Sequence, residues 1–297
     1  MSSDSSAAWH PLPLSLAPTI AAYNLSTPDS LPIEIDQATH RLNLLNFFRI
    51  PTSSKILEIG CGQGTCTVVL GHATGPSGRV DAIDPASLDY GAPYTLGQAQ
   101  SHIANGEMND RIRFHQSTLE NFLQHNADQN WDCCVLVHCT WYLDSEKILS
   151  NMLKALNGRV RKVCIAEYSM QASEPAAVPH VLAALAQATL AAHHPESEAN
   201  IRCLLTPVEI KRIAEKIGWK LEGETSFVPN DKLQDGMWEV GGVKSPEFID
   251  DVDKYVTNPK VKSLLRGQRE AVLRAAEQLQ DVKPRTMDVW AATLVGQ

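Results

Sequence analysis

Ile56–Leu57–Glu58–Ile59–Gly60–Cys61–Gly62–Gln63–Gly64 is the stretch whose reading decides the fold. It begins as a short apolar run, bends at three alternating glycines and opens into a helical segment. Gly60, Gly62 and Gly64 allow a sharp turn and let a ligand lie against bare backbone. A strand that ends in such a turn and hands over to a helix points backbone amides into the crevice outside the strand's carboxyl end, where open parallel sheets bind their ligands.

The pattern repeats along the chain. Short apolar, β-branched runs bounded by turn residues mark strands at Lys55–Gly60, Arg79–Asp84, Arg111–His115, Trp131–His138, Arg159–Glu167, Trp219–Phe227 and Thr286–Val295. Cys133 to Val137 is apolar on both faces, as a central strand covered by helices on both sides must be. Helices with readable ends lie between the strands. Thr206–Pro207–Val208–Glu209 is a capping box with proline at the first helical position, and Gly218 stops the helix after an apolar stripe of Ile210, Ile213, Ala214 and Ile217. Ser145–Asn157 reads the same way. The alternation predicts an α/β, doubly wound sheet with right-handed crossovers.

Several segments interrupt this rhythm, so the chain divides into a disordered tail (1–18), an N-terminal helical cap segment (19–48), a core (49–172), a helical insertion (173–205), a core return (206–228), a lid insertion with its own helices (229–284) and a last core strand (285–297). The lid stands where a hairpin would suffice, and connections of that length usually bind or cover something.

Composition narrows the function. Against 26 Lys and Arg stand 34 Asp and Glu, a formal charge of −8, so nucleic acid is not expected as a partner. No apolar run reaches the length of a membrane span, and no basic region precedes an apolar stretch at the start. The cysteines are odd in number, 7, and mostly sit in strand-like runs; free thiols in a reducing cytoplasm are expected, with the chain a monomer or homodimer.

The glycine stretch does not complete G-x-G-x-x-G, since the sixth position is Thr65 or Thr67 in the two frames, and no lysine follows Gly64 as a phosphate loop requires. What it does complete, E-x-G-x-G-x-G, resembles motif I of class I S-adenosylmethionine-dependent methyltransferases. Val80–Asp81–Ala82–Ile83–Asp84–Pro85 places an acid at the end of the next strand, as that family does. The resemblance implies a Rossmann-like seven-stranded sheet, mostly parallel with an antiparallel last strand, and S-adenosyl-L-methionine as cofactor. It implies that Glu58 lies near the methionine amino group and that Asp84 grips the ribose hydroxyls. Gly60, Cys61, Gly62, Gly64 and Pro85 would flank them. Ser117 or Thr118 would stand beside the adenine, where many members carry an acid.

The reacting groups should lie past the fourth and fifth strands. His138 is the first polar residue after an apolar strand; it suits a general base, or a group that fixes the loop and lines the cofactor pocket. Tyr142 is a second catalytic candidate. Tyr23, Trp141, Tyr142, Glu167 and, in the lid, Trp238 are the candidates for contact with the acceptor; His40 shares the segment of Tyr23. Adjacent His193 and His194 diverge on a helix, and the fourth strand ends in His138 rather than Asp, so no metal is expected. The expected reaction is methyl transfer to a small organic acceptor such as a secondary metabolite, by in-line displacement. A cofactor-binding pseudo-enzyme, a non-methylating rearrangement enzyme and a nicotinamide-dependent oxidoreductase remain as alternatives.

Overall fold

The computed structural model describes residues 9–194, 196–197 and 199–296. Seven strands, β1 (Lys55–Ile59), β2 (Arg79–Asp84), β3 (Ile112–Gln116), β4 (Trp131–Val137), β5 (Val160–Tyr168), β6 (Lys220–Phe227) and β7 (Val289–Val295), form one sheet in the order β3-β2-β1-β4-β5-β7-β6. Strands β1 to β5 run parallel, and β7 runs antiparallel to both β5 and β6. The helices are α1 (Ala17–Ala21), α2 (Leu31–Phe48), α3 (Thr65–Thr74), α4 (Leu96–Ala104), α5 (Leu119–His125), α6 (Glu146–Leu156), α7 (Val178–Ala191), α8 (Pro207–Ile217), α9 (Asp235–Lys244), α10 (Pro246–Tyr255) and α11 (Pro259–Glu277).

The core sits where the sequence pattern puts it. Ile56, Leu57, Cys134, Val135, Val163 and Cys164 are fully buried between the helical layers. Each aliphatic side chain taken from water there contributes about 1.5–3 kcal/mol. The lid insertion has a separate apolar cluster: Val240, Val243, Phe248, Val252, Leu265 and Val272 pack with Ala183 and Ala186 of α7. The capping box at Thr206 and the left-handed Gly218 end α8 as expected. Among the described residues no helix is long and apolar enough to cross a membrane.

Six of the seven strands lie within one residue of the sequence reading; β3 and β5, for example, are each shifted one residue, to Ile112–Gln116 and Val160–Tyr168. β7 starts at Val289 rather than Thr286, because the three preceding residues are engaged by the insertions. Thr286 bridges Gly236 N and Leu233 O, Met287 N donates to His180, and Asp288 accepts from Ser173. In the tail, residues 1–8 lie outside the described residues; beyond them Asn46 holds both backbone groups of Leu12 at 2.8 and 2.9 Å, and Ala17 is buried under α2.

Candidate functional site

β1 is flanked by β2 and β4, so the chain reverses its winding direction at β1 and opens a crevice at the carboxyl ends of these three strands. The glycine loop lies in it. Gly60, Gly62 and Gly64 take φ of 72°, 52° and 97°, all in the left-handed region. A Cβ on Gly60 would stand 2.5 Å from Cβ of Cys139, whereas one on Gly62 would meet nothing within 4 Å. Gly60 is therefore needed by the protein's own packing, and Gly62 borders open space.

Asp84 leaves the end of β2 and comes to rest on this loop. Its Oδ2 accepts from Gly62 N at 2.9 Å and its Oδ1 from Ala86 N at 2.9 Å. Each carboxylate oxygen keeps further acceptor capacity, enough for a diol. The same atoms thus serve a turn at Pro85 and a position facing the glycine bend.

Glu58 is 2% exposed, and its Oε2 has no partner. Burial pushes its pKa up to about 7, against the downward pulls of Thr67, Cys66 and the Arg41 guanidinium. Arg41, on α2, has an unpartnered buried Nε; its Nη1 is held by the carbonyl and side chain of Gln37. A buried acid with a free oxygen and a buried cation with a free N–H are the complements of an amino acid's ammonium and carboxylate. These orphaned atoms, with the open flank of Gly62, fit the methionine end of the cofactor implied by the motif. Sequence reading missed Arg41; its only signal was the spacing of Gln37, His40 and Arg41 along one face of α2.

At the third strand, the Thr118 hydroxyl caps α5 by accepting from Asn121 N and keeps its own O–H to donate. Ser117 N pairs with Asp84 O, which leaves Ser117 at the rim. Cys61 is buried beside Gln100, and Pro85 is exposed at the turn.

His138 follows β4 with φ 51°, an uncommon value for a residue with a side chain. Its Nε2 lies 2.9 Å from Nε2 of His40, its Nδ1 3.4 Å from Oε1 of Glu167, and its ring stacks on Tyr168 at 4.4 Å. Glu167 does not face an acceptor as expected. It is 1% exposed, with Oε2 taking Thr140 N and Oγ1 at 2.9 and 2.8 Å and Oε1 taking Tyr168 N at 3.1 Å. Trp141 is likewise core: buried, with Nε1 donating to Leu205 O. Tyr23 packs half-buried against the main core.

The lid closes over this end through α9. Asp235 accepts from Tyr168 Oη at 2.8 Å and from Gln37 Nε2 at 2.9 Å; Glu239, one turn on, accepts from Gln187 Nε2 at 2.6 Å and Asn200 Nδ2 at 3.4 Å. Burial raises the Glu239 pKa. Tyr142 is 41% exposed; loss of water around its hydroxyl, then Glu239, Tyr90, Glu167 and Asp235, push its pKa up. Trp238, 49% exposed, lies between the two acids on α9. His180 accepts Met287 N–H at Nδ1, so its hydrogen is on Nε2, which is buried without a partner. Sequence reading named none of Gln37, His180, Asp235 and Glu239.

Known proteins similar to the chain share its family and fold. A family described as "Methyltransferase domain" matches residues 34–223. "Methyltransferase phomM'" and "Methyltransferase phomM" of Diaporthe leptostromiformis are 29% and 28% identical to the chain, each alignment covering 97% of this chain and 81% of the relative. The crystal structure of a cyclopropane-fatty-acyl-phospholipid synthase-like protein from Lactobacillus casei ATCC 334 is 31% identical, with TM-score 0.83 over 95% of this chain and 99% of that one. The cyclopropane synthase MmaA2 from Mycobacterium tuberculosis shares the fold at TM-score 0.53 and 14% identity, covering 95% of each chain.

Proposed function

The chain belongs to the methyltransferase-domain family and is an S-adenosyl-L-methionine-dependent methyltransferase; from that premise we propose that its acceptor is a small organic amine held between the ends of β4 and β5 and the lid helix α9. The observation that carries this reading is the pair Asp235 and Glu239. Both sit half-buried at the site, and their hydrogen-bond partners are neutral: a tyrosine, two glutamines and an asparagine. Among the described residues neither forms an ion pair with Lys or Arg. Withdrawing a carboxylate from water without a cation is costly, and a ligand ammonium would offset the cost. Tyr142 and Trp238 supply aromatic surface beside it.

When bound, the cofactor supplies an electrophilic methyl on a sulfonium, whose departure as a neutral thioether asks for no metal. Asp84 would hold the ribose hydroxyls against the Gly62 amide, Glu58 the ammonium and Arg41 the carboxylate. That leaves the strand ends to align the acceptor, and alignment supplies much of the acceleration. The 7 free thiols fit a reducing compartment such as the cytoplasm, and nothing in the acidic surface favours nucleic acid.

The test is label transfer from methyl-labelled cofactor to matched panels of primary and secondary amines, alcohols and carboxylic acids. Label is expected in amines, and Glu239→Gln and Asp235→Asn should weaken it. Label confined to oxygen or carbon acceptors would discard the amine.

A further inference from the structure

The Glu167 carboxylate has no hydrogen to give, so Nδ1 of His138 carries one and points it at Oε1. The neutral His138 ring then offers a lone pair at Nε2, and Nε2 of His40, 2.9 Å away, must donate into it. His138 therefore has no nitrogen left to face an acceptor. The only ring nitrogen of the pair outside this chain of bonds is Nδ1 of His40.

We propose that His40 and His138 form a proton relay for the methyl acceptor, entered at Nδ1 of His40 and ending on His138. The proposal rests on the amine reading, because an ammonium must lose a proton before its lone pair can attack carbon. The N–H bond of the ammonium breaks as Nδ1–H forms on His40. The Nε2–H bond of His40 breaks as Nε2–H forms on His138. His40 ends neutral with its hydrogen moved across the ring, and the positive charge ends on His138 beside Glu167. The freed amine lone pair then forms the N–C bond while the S–C bond breaks and its electron pair stays on sulfur.

The surroundings disfavour charge on His40, and an acid stands beside His138. Glu167 is held by three donors besides His138, so it is oriented toward the ring that would become cationic. His40 is 4% exposed, and burial, His138 and Arg41 all disfavour its protonated form, which suits a group that passes a proton without keeping it. The ionisable groups facing the pair are Arg41 from α2, Glu167 and Tyr168 from β5, His180 from α7 and, behind Tyr168, Asp235 from α9. Among these only Glu167 is an acid within hydrogen-bonding reach of either imidazole.

Ring-nitrogen NMR on the ¹⁵N-labelled protein saturated with S-adenosylhomocysteine tests the relay without knowledge of the acceptor. On lowering the pH, charge should appear on His138 while His40 moves its hydrogen from Nε2 to Nδ1 at the same midpoint. Charge appearing first on His40, or two independent titrations, would overturn the relay. The second arm is His40→Gln, whose amide can donate to His138 but cannot pass a proton on. Binding of S-adenosylhomocysteine should stay within about twofold, and kcat on an amine should fall about 10²-fold near neutral pH. Above the acceptor's own pKa, where the amine arrives already free, kcat should recover. An equal loss at every pH, or no loss, would reject the proposal. If no amine is methylated at all, the amine reading fails, and the ring titration still judges the relay.

Discussion

Glu58 at the end of β1 and Arg41 on α2 act on one another electrostatically, yet each keeps a buried polar atom that no protein group satisfies. An acid and a base left incomplete in this way are prepared for a zwitterion, and the energetics of the free enzyme follow from it.

Cofactor affinity should depend on pH through Glu58. Its pKa stands at about 7 in the free enzyme, so at lower pH it is protonated and cannot meet an ammonium. S-adenosylhomocysteine affinity measured calorimetrically should fall by roughly tenfold per pH unit below that point. A flat profile between pH 5.5 and 8 would remove Glu58 from the site.

The same residue should cost stability. A carboxyl that holds its proton more tightly when folded lowers stability as pH rises from about 4.5, the unfolded value, through about 7. Glu58→Gln escapes that cost. The cofactor-free variant should be more stable at pH 8, by up to about 3 kcal/mol, and gain nothing near pH 4, while losing cofactor affinity. Thermal unfolding at the two pH values checks the sign.

Asp84→Ala should weaken S-adenosylhomocysteine binding by about 10²-fold, the worth of one or two hydrogen bonds to a charged acceptor. It also frees the amides of Gly62 and Ala86, so Asp84→Asn is the gentler comparison. Unchanged affinity in both would reduce Asp84 to a turn residue.

The loop glycines should separate folding from binding. Gly60→Ala places a methyl 2.5 Å from Cys139 and should destabilise the protein by several kcal/mol, to about 3 or more. Gly62→Ala puts its methyl into open space and should cost only about 1–2 kcal/mol for the backbone conformation, yet lose cofactor affinity. Melting temperatures and binding isotherms on the two variants should rank them in opposite order.

Tyr142 should not serve as a base. Withdrawal from water and the nearby acids raise its pKa above the ordinary tyrosine value, so the hydroxyl stays protonated throughout the working range. Tyr142→Phe is expected to keep kcat within about tenfold, with no change in the alkaline limb of the pH–rate profile.

The strands were legible because each is a local pattern. All seven appear within three residues of their expected places, and the largest miss, at β7, arose where His180 of α7 takes the amide of Met287 and Gly236 of the lid engages the hydroxyl of Thr286. The acid at Asp84 was legible for the same reason: it lies on the strand next to the loop it touches. The depth of Glu167 and Trp141 was not legible, because position near a strand end does not reveal it; Glu167 is bonded to Thr140 and Trp141 to the 205 carbonyl. Gln37 and Asp235 stand 198 residues apart, and no local spacing announces such a pair. His40 was named only by its segment, and Arg41 was missed, because nothing local shows that the polar face of this helix turns inward.

The lid is spliced into the chain between Phe227 and Val289, with an apolar cluster separate from that of the sheet. Such an arrangement lends itself to transplantation: a donor lid could be exchanged at those two seams to alter acceptor range while the nucleoside half stays untouched. The exchange carries passengers from outside the seams. Because Gln37 and Tyr168 are both hydrogen-bonded to Asp235, a graft that brings a foreign residue at the start of α9 must bring matching partners at positions 37 and 168 as well.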